Sequence, residues 1–368
     1  MNECAIVGSG LAALVAYATL RHAGVPVGAI AVFGTNADPT EAWRVRAESI
    51  RQQRMRSESD GHVAAASWPG LAVREAWTRR RPRPLWQTLA SRYHPTVERF
   101  LEHAASVREH TGWSTSFRLA RVERVAAVDG GFEIDGQGLF RHVLLATGHP
   151  GLALPGPFAT DPRVVHAYQP HEYGSHVAVV GTGMAAATEW LNALAAGSEV
   201  VSIRRRPPLR RPLNVDRPLF SKRGLAGFHV LDRPTRAALL ADLARASFPP
   251  GDIWDEPLAR AERDGRFRVA HAGDRLSREI DQIICATGFR RGFAADPLLA
   301  RLAREHGLEN EGRWLVLAPD STVPALTDAR RTLALAGAQA QWAFPAADTI
   351  AGAKYAAHGF LGRVCRSR

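Results

Sequence analysis

The chain is punctuated twice by the same pattern: a short apolar run of strand length, a glycine turn, and an alanine- and leucine-rich stretch with helical spacing. The first copy runs from the strand Cys4 to Val7 through Gly8-Ser9-Gly10-Leu11-Ala12-Ala13 into a helix that reaches Arg21 and His22 and stops at Gly24. An apolar run from Val27 to Phe33 reads as the next parallel strand, which completes a βαβ unit. The second copy starts at His176, with a strand Val177 to Val180, the turn Gly181-Thr182-Gly183-Met184-Ala185-Ala186, a helix to about Ala196 and a strand Glu199 to Ile203. Each copy has a later companion strand ending in Ala-Thr-Gly: Phe140 to Leu145 before Ala146-Thr147-Gly148, and Ile280 to Cys285 before Ala286-Thr287-Gly288-Phe289. Alternation of strands with helices predicts an α/β fold with two parallel sheets.

Between these landmarks the pattern is less regular. Residues 40 to 115 hold tryptophans at 43, 68, 77, 86 and 113, arginine clusters, and a helical stretch from about Thr96 to Arg108. Arg118 to Val128 and Gly131 to Ile134 read as strands of a small antiparallel layer. Pro207 to Pro218 reads as a basic, proline-rich loop, and Pro234 to Ala246 as a helix with Asp232 as its cap. The tail holds a strand from Thr332 to Ala336, a turn at Gly337 and a helix from about Pro345 to Leu361, and is expected to pack back onto the first unit. The resulting division is 1–174 for a first domain, 175–290 for a second, and 291–368 for the returning part of the first.

A strand ending in G-x-G-x-x-A and opening a helix brings a pyrophosphate against bare backbone N–H groups. The first glycine allows the tight turn, the second lets the phosphate approach, and a small third residue lets helix and strand pack. Gly8, Gly10 and Ala13 fit these roles, as do Gly181, Gly183 and Ala186, with Ser9, Leu11, Thr182 and Met184 completing the turns. Two such motifs, each in strand-turn-helix context, point to two dinucleotides. After the second motif the strand runs into Arg204, Arg205 and Arg206, where an acid would be expected to hold an unmodified ribose. Arg204 and Arg205 therefore favour a 2′-phosphate, and so NADPH. At the first motif the strand ends Phe33-Gly34-Thr35-Asn36, without the usual ribose acid. Asn36 or Thr35 remains to bond a hydroxyl, and Asp38 is a further candidate.

Composition narrows the class. Apolar residues make up 46% of the 368 and charged residues 23%, with no apolar window long enough to span a membrane. The N-terminus shows no basic leader, so a cytoplasmic setting is expected. Net charge is +11, carried by arginine, since Lys222 and Lys354 are the only lysines. No nucleic-acid motif accompanies that charge, and neither a nucleic-acid nor a membrane partner is expected. Self-association is left open. Cys4, Cys285 and Cys365 form no C-x-x-C pair and no metal spacing; the first two read as core thiols.

With these motifs in place the sequence resembles the flavin-containing monooxygenase and Baeyer–Villiger monooxygenase superfamily, including its N-hydroxylating relatives. The likeness rests on the two G-x-G-x-x-A turns, on Trp43-Arg44 near the family's Gly-Gly-x-Trp segment, on Ala146-Thr147-Gly148-His149, and on Ala286-Thr287-Gly288-Phe289. His166 aligns with the histidine of the family fingerprint, but the Phe-x-Gly that should precede it is absent. The resemblance implies a glutathione-reductase-like architecture with a discontinuous FAD domain and an NADPH domain. It further implies a monooxygenase in which NADPH reduces FAD and O2 reacts through a flavin (hydro)peroxide to oxidise a nitrogen, sulfur or carbonyl centre of a small molecule. Thr147, Gly148, Thr287 and Gly288 would then sit beside the cofactors. Gly337, Gln339, Trp342 and Phe344 are expected at a wall near the flavin, with Arg56-Ser57-Glu58-Ser59-Asp60 as a polar run facing it. An NAD(P)H-dependent flavin oxidoreductase without oxygen insertion and a non-catalytic nucleotide-binding regulator are the competing readings. No catalytic residue is assigned.

Overall fold

The computed structural model describes residues 2–55, 70–89, 93–211, 215–274 and 279–366. The Arg56 to Asp60 run lies outside them.

Two large sheets carry the molecule, the first parallel at its centre with an antiparallel edge and the second parallel throughout. In the first, Asn2–Val7 is flanked by Ile30–Gly34 on one side and Gly138–Leu145 on the other, all parallel. Phe117–Leu119 extends it beyond Ile30–Gly34, and Thr332–Leu335 pairs in parallel with the end of Gly138–Leu145, His142 opposite Thr332 and Leu145 opposite Leu335. The C-terminal tail thus returns to the first sheet, and its helix Ile350–Arg366 packs on the helix Leu11–His22. The interface is made of small residues, among them Ala13, Ala16, Ala353, Ala356 and Ala357, all buried, with Phe360 and Leu14 filling the gaps. Alanine faces let helices approach closely, while each fully buried Leu or Phe contributes about 1.5–3 kcal/mol.

The second sheet is all parallel, in the order Phe267–His271, Glu199–Arg204, His176–Val180, Gln282–Cys285 and Val164–His166. Its edge strand Val164–His166 comes from ahead of residue 175, where the sequence pattern set the start of the second domain. Central strands buried on both faces read as unbroken apolar runs, as in Val177, Ala178 and Val179, each fully buried. The helix Met184–Ala195 covers one face through Trp190, whose ring meets Phe248 and Phe267 edge-on.

The stretch Arg118 to Val128 is not one antiparallel strand. Phe117–Leu119 is parallel to Ile30–Gly34, and only Val125–Val128 forms a hairpin with Gly131–Ile134. The break falls at Ala120 to Arg124, between the segment that pairs with Ile30–Gly34 and the segment that pairs with Gly131–Ile134. The second strand also starts later than its apolar run: Val27–Ala29 is a single 3-10 turn after Pro26, and Ile30–Gly34 is the strand. The predicted Pro345 to Leu361 helix begins at Ile350. Asp232 does cap its helix, Oδ1 accepting from Thr235 N–H at 2.8 Å.

Buried histidines make the fold acid-sensitive. His142, on Gly138–Leu145, faces Phe360 and is 1% exposed; burial above all, then Arg141, holds its pKa down to about 4. In an unfolded chain it titrates at its ordinary value, so its neutral folded form contributes full stability above pH 6.5. That contribution falls as pH drops from 6.5 through about 4, by at most about 3 kcal/mol. Thermal melts between pH 7 and pH 4 are expected to show a steeper fall in Tm for the wild type than for His142→Leu.

Candidate functional site

The two glycine turns are built alike to the level of single atoms. Gly8 has φ +116°, its N–H donates to Phe33 C=O at 2.7 Å, and Ala146 N–H donates to Val7 C=O at 2.7 Å. Gly181 has φ +136°, its N–H donates to Ile203 C=O at 3.2 Å, and Ala286 N–H donates to Val180 C=O at 2.9 Å. A Cβ on Gly8 would lie 2.2 Å from the Ala146 carbonyl oxygen, and one on Gly181 would lie 2.6 Å from that of Ala286. Only glycine satisfies both the left-handed backbone and the approach. The pairing explains why an Ala-Thr-Gly segment accompanies each turn: its alanine carbonyl is the surface on which the first glycine rests.

Gly10 and Gly183 open the two helices with nearly identical backbone angles, φ −90° and −93°, and neither has a side-chain cap. The first N–H groups of both helices therefore lack an intrahelical partner and favour an anion. A Cβ on Gly10 would meet nothing within 4 Å, and one on Gly183 would make ordinary contact with Ala246 Cβ at 3.4 Å. A side chain is thus absent at both positions without a steric demand from the fold, and the second turn lies on a cleft. Ala13 and Ala186 are fully buried beneath the turns. Ser9 seals the first turn from the side: its Oγ accepts from Asn36 N–H at 3.2 Å, and it fills the position a side chain on Gly34 would take. Asn36 and Thr35 bond each other, Thr35 Oγ1 donating to Asn36 Oδ1 at 2.9 Å. Asp38 is committed elsewhere, to Thr40 at 2.8 Å and Arg108 at 3.7 Å.

After each Ala-Thr-Gly the chain crosses to the other lobe, and the crossings pair. Leu152 and Phe289 form an antiparallel bridge, Ala153 N–H donating to Gly288 C=O and Arg290 N–H to Gly151 C=O, both at 2.9 Å. Thr147 donates to Asp296 at 2.6 Å, and Thr287 donates to Ala153 C=O. His166 is fully buried and pins the second crossing, with Nε2 against Gly288 C=O at 2.9 Å and Nδ1 accepting from Tyr168 N–H at 3.1 Å. That pair of bonds fixes a neutral ring protonated on Nε2; burial is the main cause of its lowered pKa. His166 acts on the backbone of the crossing.

The residues that follow the two glycines, His149 and Phe289, stack on each other at 4.1 Å and 9°. Tyr168 lies parallel to Phe289 at 5.1 Å, and the Arg46 guanidinium sits 4.8 Å from its ring. Burial, with Arg46 and Arg291 nearby, holds the His149 pKa down to about 4. This stack borders a cleft of about 1260 Å³ between the lobes. Gly181, Thr182, Gly183 and Met184 form its floor on the second lobe, Thr287 and Gly288 its side, and Ala338, Gln339 and Gln341 its wall on the first. The Gly337 turn that carries this wall rests on Ala12, 3.6 Å from where a Cβ would stand, so wall and first cradle are in contact.

The cleft is strongly cationic, with Arg205, Arg206, Arg245, Arg290, Arg291 and Arg313 along it. Arg291 is tied to Ala244 C=O at 2.9 Å, and Arg313 rests on Trp314 at 4.5 Å. Asp348 is the one carboxyl among the described lining residues. Its surface opens into the cleft, yet the protein mass around that cleft raises its pKa, Arg291 opposing.

Several expected site residues stand elsewhere. Arg204 does not line the cleft: its Nε donates to Ser202 at 2.8 Å and its guanidinium covers Trp190 at 4.7 Å, so Arg205 and Arg206 take the cleft edge instead. Trp342 and Phe344 lie in the core, 1% and 4% exposed, under Arg236 and against Tyr355 respectively. Trp43 packs on Phe100 at 5.0 Å, and Arg44 forms a surface pair with Glu48 at 3.1 Å. Arg46, one helical turn from Trp43, is the residue of that helix that reaches the crossing. Arg290, Arg291, Arg313 and Asp348 carried no sequence signal beyond their charge.

No protein-family model matches the chain, and no curated protein matches its sequence. Solved structures do match. Ornithine hydroxylase PvdA from Pseudomonas aeruginosa superposes with a TM-score of 0.74 at 16% identity, covering 100% of both chains. Ornithine N-hydroxylase KtzI from Kutzneria sp. 744, in a structure named for reduced FAD, NADP+ and L-ornithine, gives 0.75 at 14%, covering 100% of this chain and 99% of that one. Bacillithiol disulfide reductase Bdr from Bacillus cereus gives 0.64 at 13%, again over 100% and 99%. The chain has the fold of the flavoproteins with two dinucleotide-binding domains, over its whole length.

Proposed function

We propose that this protein is an FAD-dependent, NADPH-consuming monooxygenase that inserts one atom of O2 into a nitrogen, sulfur or carbonyl centre of a small molecule. The observation that carries the proposal is the duplicated cradle: two glycine turns, each locked to an Ala-Thr-Gly carbonyl and each opening a helix whose N-terminus has no side-chain cap. The whole-length likeness to two ornithine N-hydroxylases favours oxygen insertion. A disulfide relay has little support in the cysteines, since Cys4 and Cys285 are buried in different sheets and Cys365 is exposed. Burial also pushes the Cys285 thiol up to about 11, far from a reactive thiolate.

Bound in this frame, FAD and NADPH supply hydride transfer and the activation of O2. The chain's own residues bind, orient and exclude water. The turn at Gly8 to Ala13 holds the FAD pyrophosphate, and that at Gly181 to Ala186 holds the pyrophosphate of NADPH. Arg205 and Arg206 take the 2′-phosphate at the cleft edge. The His149, Phe289 and Tyr168 rings close the crossing side of the cleft. Asp348, the one carboxyl among the described cleft residues, is placed to give and take a proton at its carboxyl oxygen beside the substrate.

Replacing both Arg205 and Arg206 by alanine is expected to raise KM for NADPH by about 10² and KM for NADH by much less. Steady-state NADPH and NADH titrations decide it. Asp348→Asn is expected to lower turnover by about 10- to 100-fold and to flatten one limb of the pH–rate profile, with anaerobic flavin reduction unchanged. The reaction class is tested by running turnover under 18O2 with panels of amines, sulfides and ketones. Isotope in the product supports insertion. Peroxide alone, with every substrate, would leave the flavin oxidoreductase reading in its place.

A further inference from the structure

The helices Gly70–Arg79 and Arg83–Leu89 form a hairpin whose two inner faces are ordinary. Leu71, Ala72, Glu75 and Ala76 are buried on the first, and Pro84 and Thr88 on the second. Its outer faces are not. Val73 and Trp77, one turn apart, are 46% and 85% exposed, and on the second helix Leu85, Trp86 and Leu89 are 37%, 68% and 73% exposed. Isolated apolar residues on a surface need no explanation; five on the two faces of one hairpin, including two nearly bare indoles, do.

The turn between these faces is cationic. Arg80 and Arg81 lie within it, Arg79 and Arg83 end and begin the two helices beside it, and Arg74 stands further back on the first helix. The hairpin has one acid, Glu75, which is buried, accepts from Tyr93 Oη at 2.7 Å and meets Arg79 at 3.5 Å. Among the described residues Arg80, Arg81 and Arg83 have no carboxylate partner. Arg80 moreover closes the first helix in the left-handed region, φ +50°, the position that glycine occupies most easily.

We propose that this hairpin docks on a membrane surface bearing anionic headgroups, with Trp77, Trp86 and the leucines entering the interface and the arginines on the phosphates. Tryptophan is favoured at the headgroup level and apolar side chains just below it, while clustered arginine supplies attraction to acidic lipid. The chain's net charge of +11 adds to that attraction. A nucleic-acid backbone would use the arginines and leave Val73, Leu85 and Leu89 without a role. A second copy of the hairpin would bring two unpaired arginine clusters together. The contact is peripheral, since no described helix is long and apolar enough to cross a membrane, and it departs from the expectation that no membrane is engaged.

The test is cosedimentation of the flavin-loaded full chain with vesicles of phosphatidylcholine alone or mixed with phosphatidylglycerol. Binding is expected only to the mixed vesicles, weakening steeply with added salt. Arg80→Glu with Arg81→Glu and Arg83→Glu, and separately Trp77→Ser with Trp86→Ser, are each expected to lower the partition constant at least about tenfold, with melting and flavin spectrum unchanged. Equal binding to neutral vesicles, or no binding to acidic ones, overturns the proposal whatever the variants do. So does light scattering that shows a dimer dissolved by the tryptophan changes, or an oligonucleotide bound in preference to acidic vesicles.

Discussion

Gly10→Val is expected to give a folded protein that comes off the column colourless and takes up FAD at least about a hundredfold more weakly than the wild type. A side chain at this position strikes nothing, for no atom lies within 4 Å of an added Cβ, and its backbone at φ −90° suits any residue. The fold should therefore survive. What the valine does fill is the space over the first turn of the helix Leu11–His22, which lacks a side-chain cap. A pyrophosphate there accepts bonds from unpaired N–H groups, each charged bond worth about 1.5–3 kcal/mol; losing two accounts for the effect. Retention of bound flavin after desalting, with a melting curve near that of the wild type, measures it. A yellow variant would sink the assignment of this turn.

Gly183→Val should have the complementary phenotype. The protein remains yellow, because the first cradle is untouched, but NADPH no longer reduces it at useful concentrations; KM should rise about a hundredfold or more. Here the added Cβ makes ordinary contact with Ala246 at 3.4 Å, and the backbone at φ −93° is again unstrained. The valine methyls occupy the cleft floor between Gly181 and Met184. Stopped-flow flavin reduction at rising NADPH separates this outcome from misfolding. The same substitutions at Gly8 or Gly181 would be uninformative, since a Cβ there collides with a backbone carbonyl.

The contrast between what the sequence pattern conveyed and what it did not follows the range of the interactions. The spacing of a glycine turn is local: Gly8, Gly10 and Ala13 fall within six residues, so the motif is legible in one dimension although the groups that demand glycine at Gly8, Phe33 and Ala146, are distant. The same holds for Asp232, whose bond reaches three residues, and for the parallel strands buried on both faces. The contact that gives Ala146-Thr147-Gly148 its meaning spans the whole first unit, and spacing alone conveys only that it recurs.

Side-chain direction was the weaker inference. The Arg204 guanidinium, at the end of a strand, was drawn inward by two aromatic rings, leaving the next two arginines to face the cleft. Trp342 and Phe344, large apolar side chains expected at the flavin wall, are buried in the core, while Gln339 stays at the cleft. Asp348, Arg291 and Arg313 converge from separate segments, which no local pattern encodes. The stretch Arg118 to Val128 splits because a parallel partner, Ile30–Gly34, claims its first two residues together with Phe117.

The absorption spectrum of FAD-reconstituted, desalted protein, recorded before and after anaerobic addition of NADPH, tests the two-cradle account most directly. It predicts a stable flavin spectrum that bleaches on addition of NADPH. Protein that holds no flavin, or flavin that stays oxidised under excess NADPH, would contradict it.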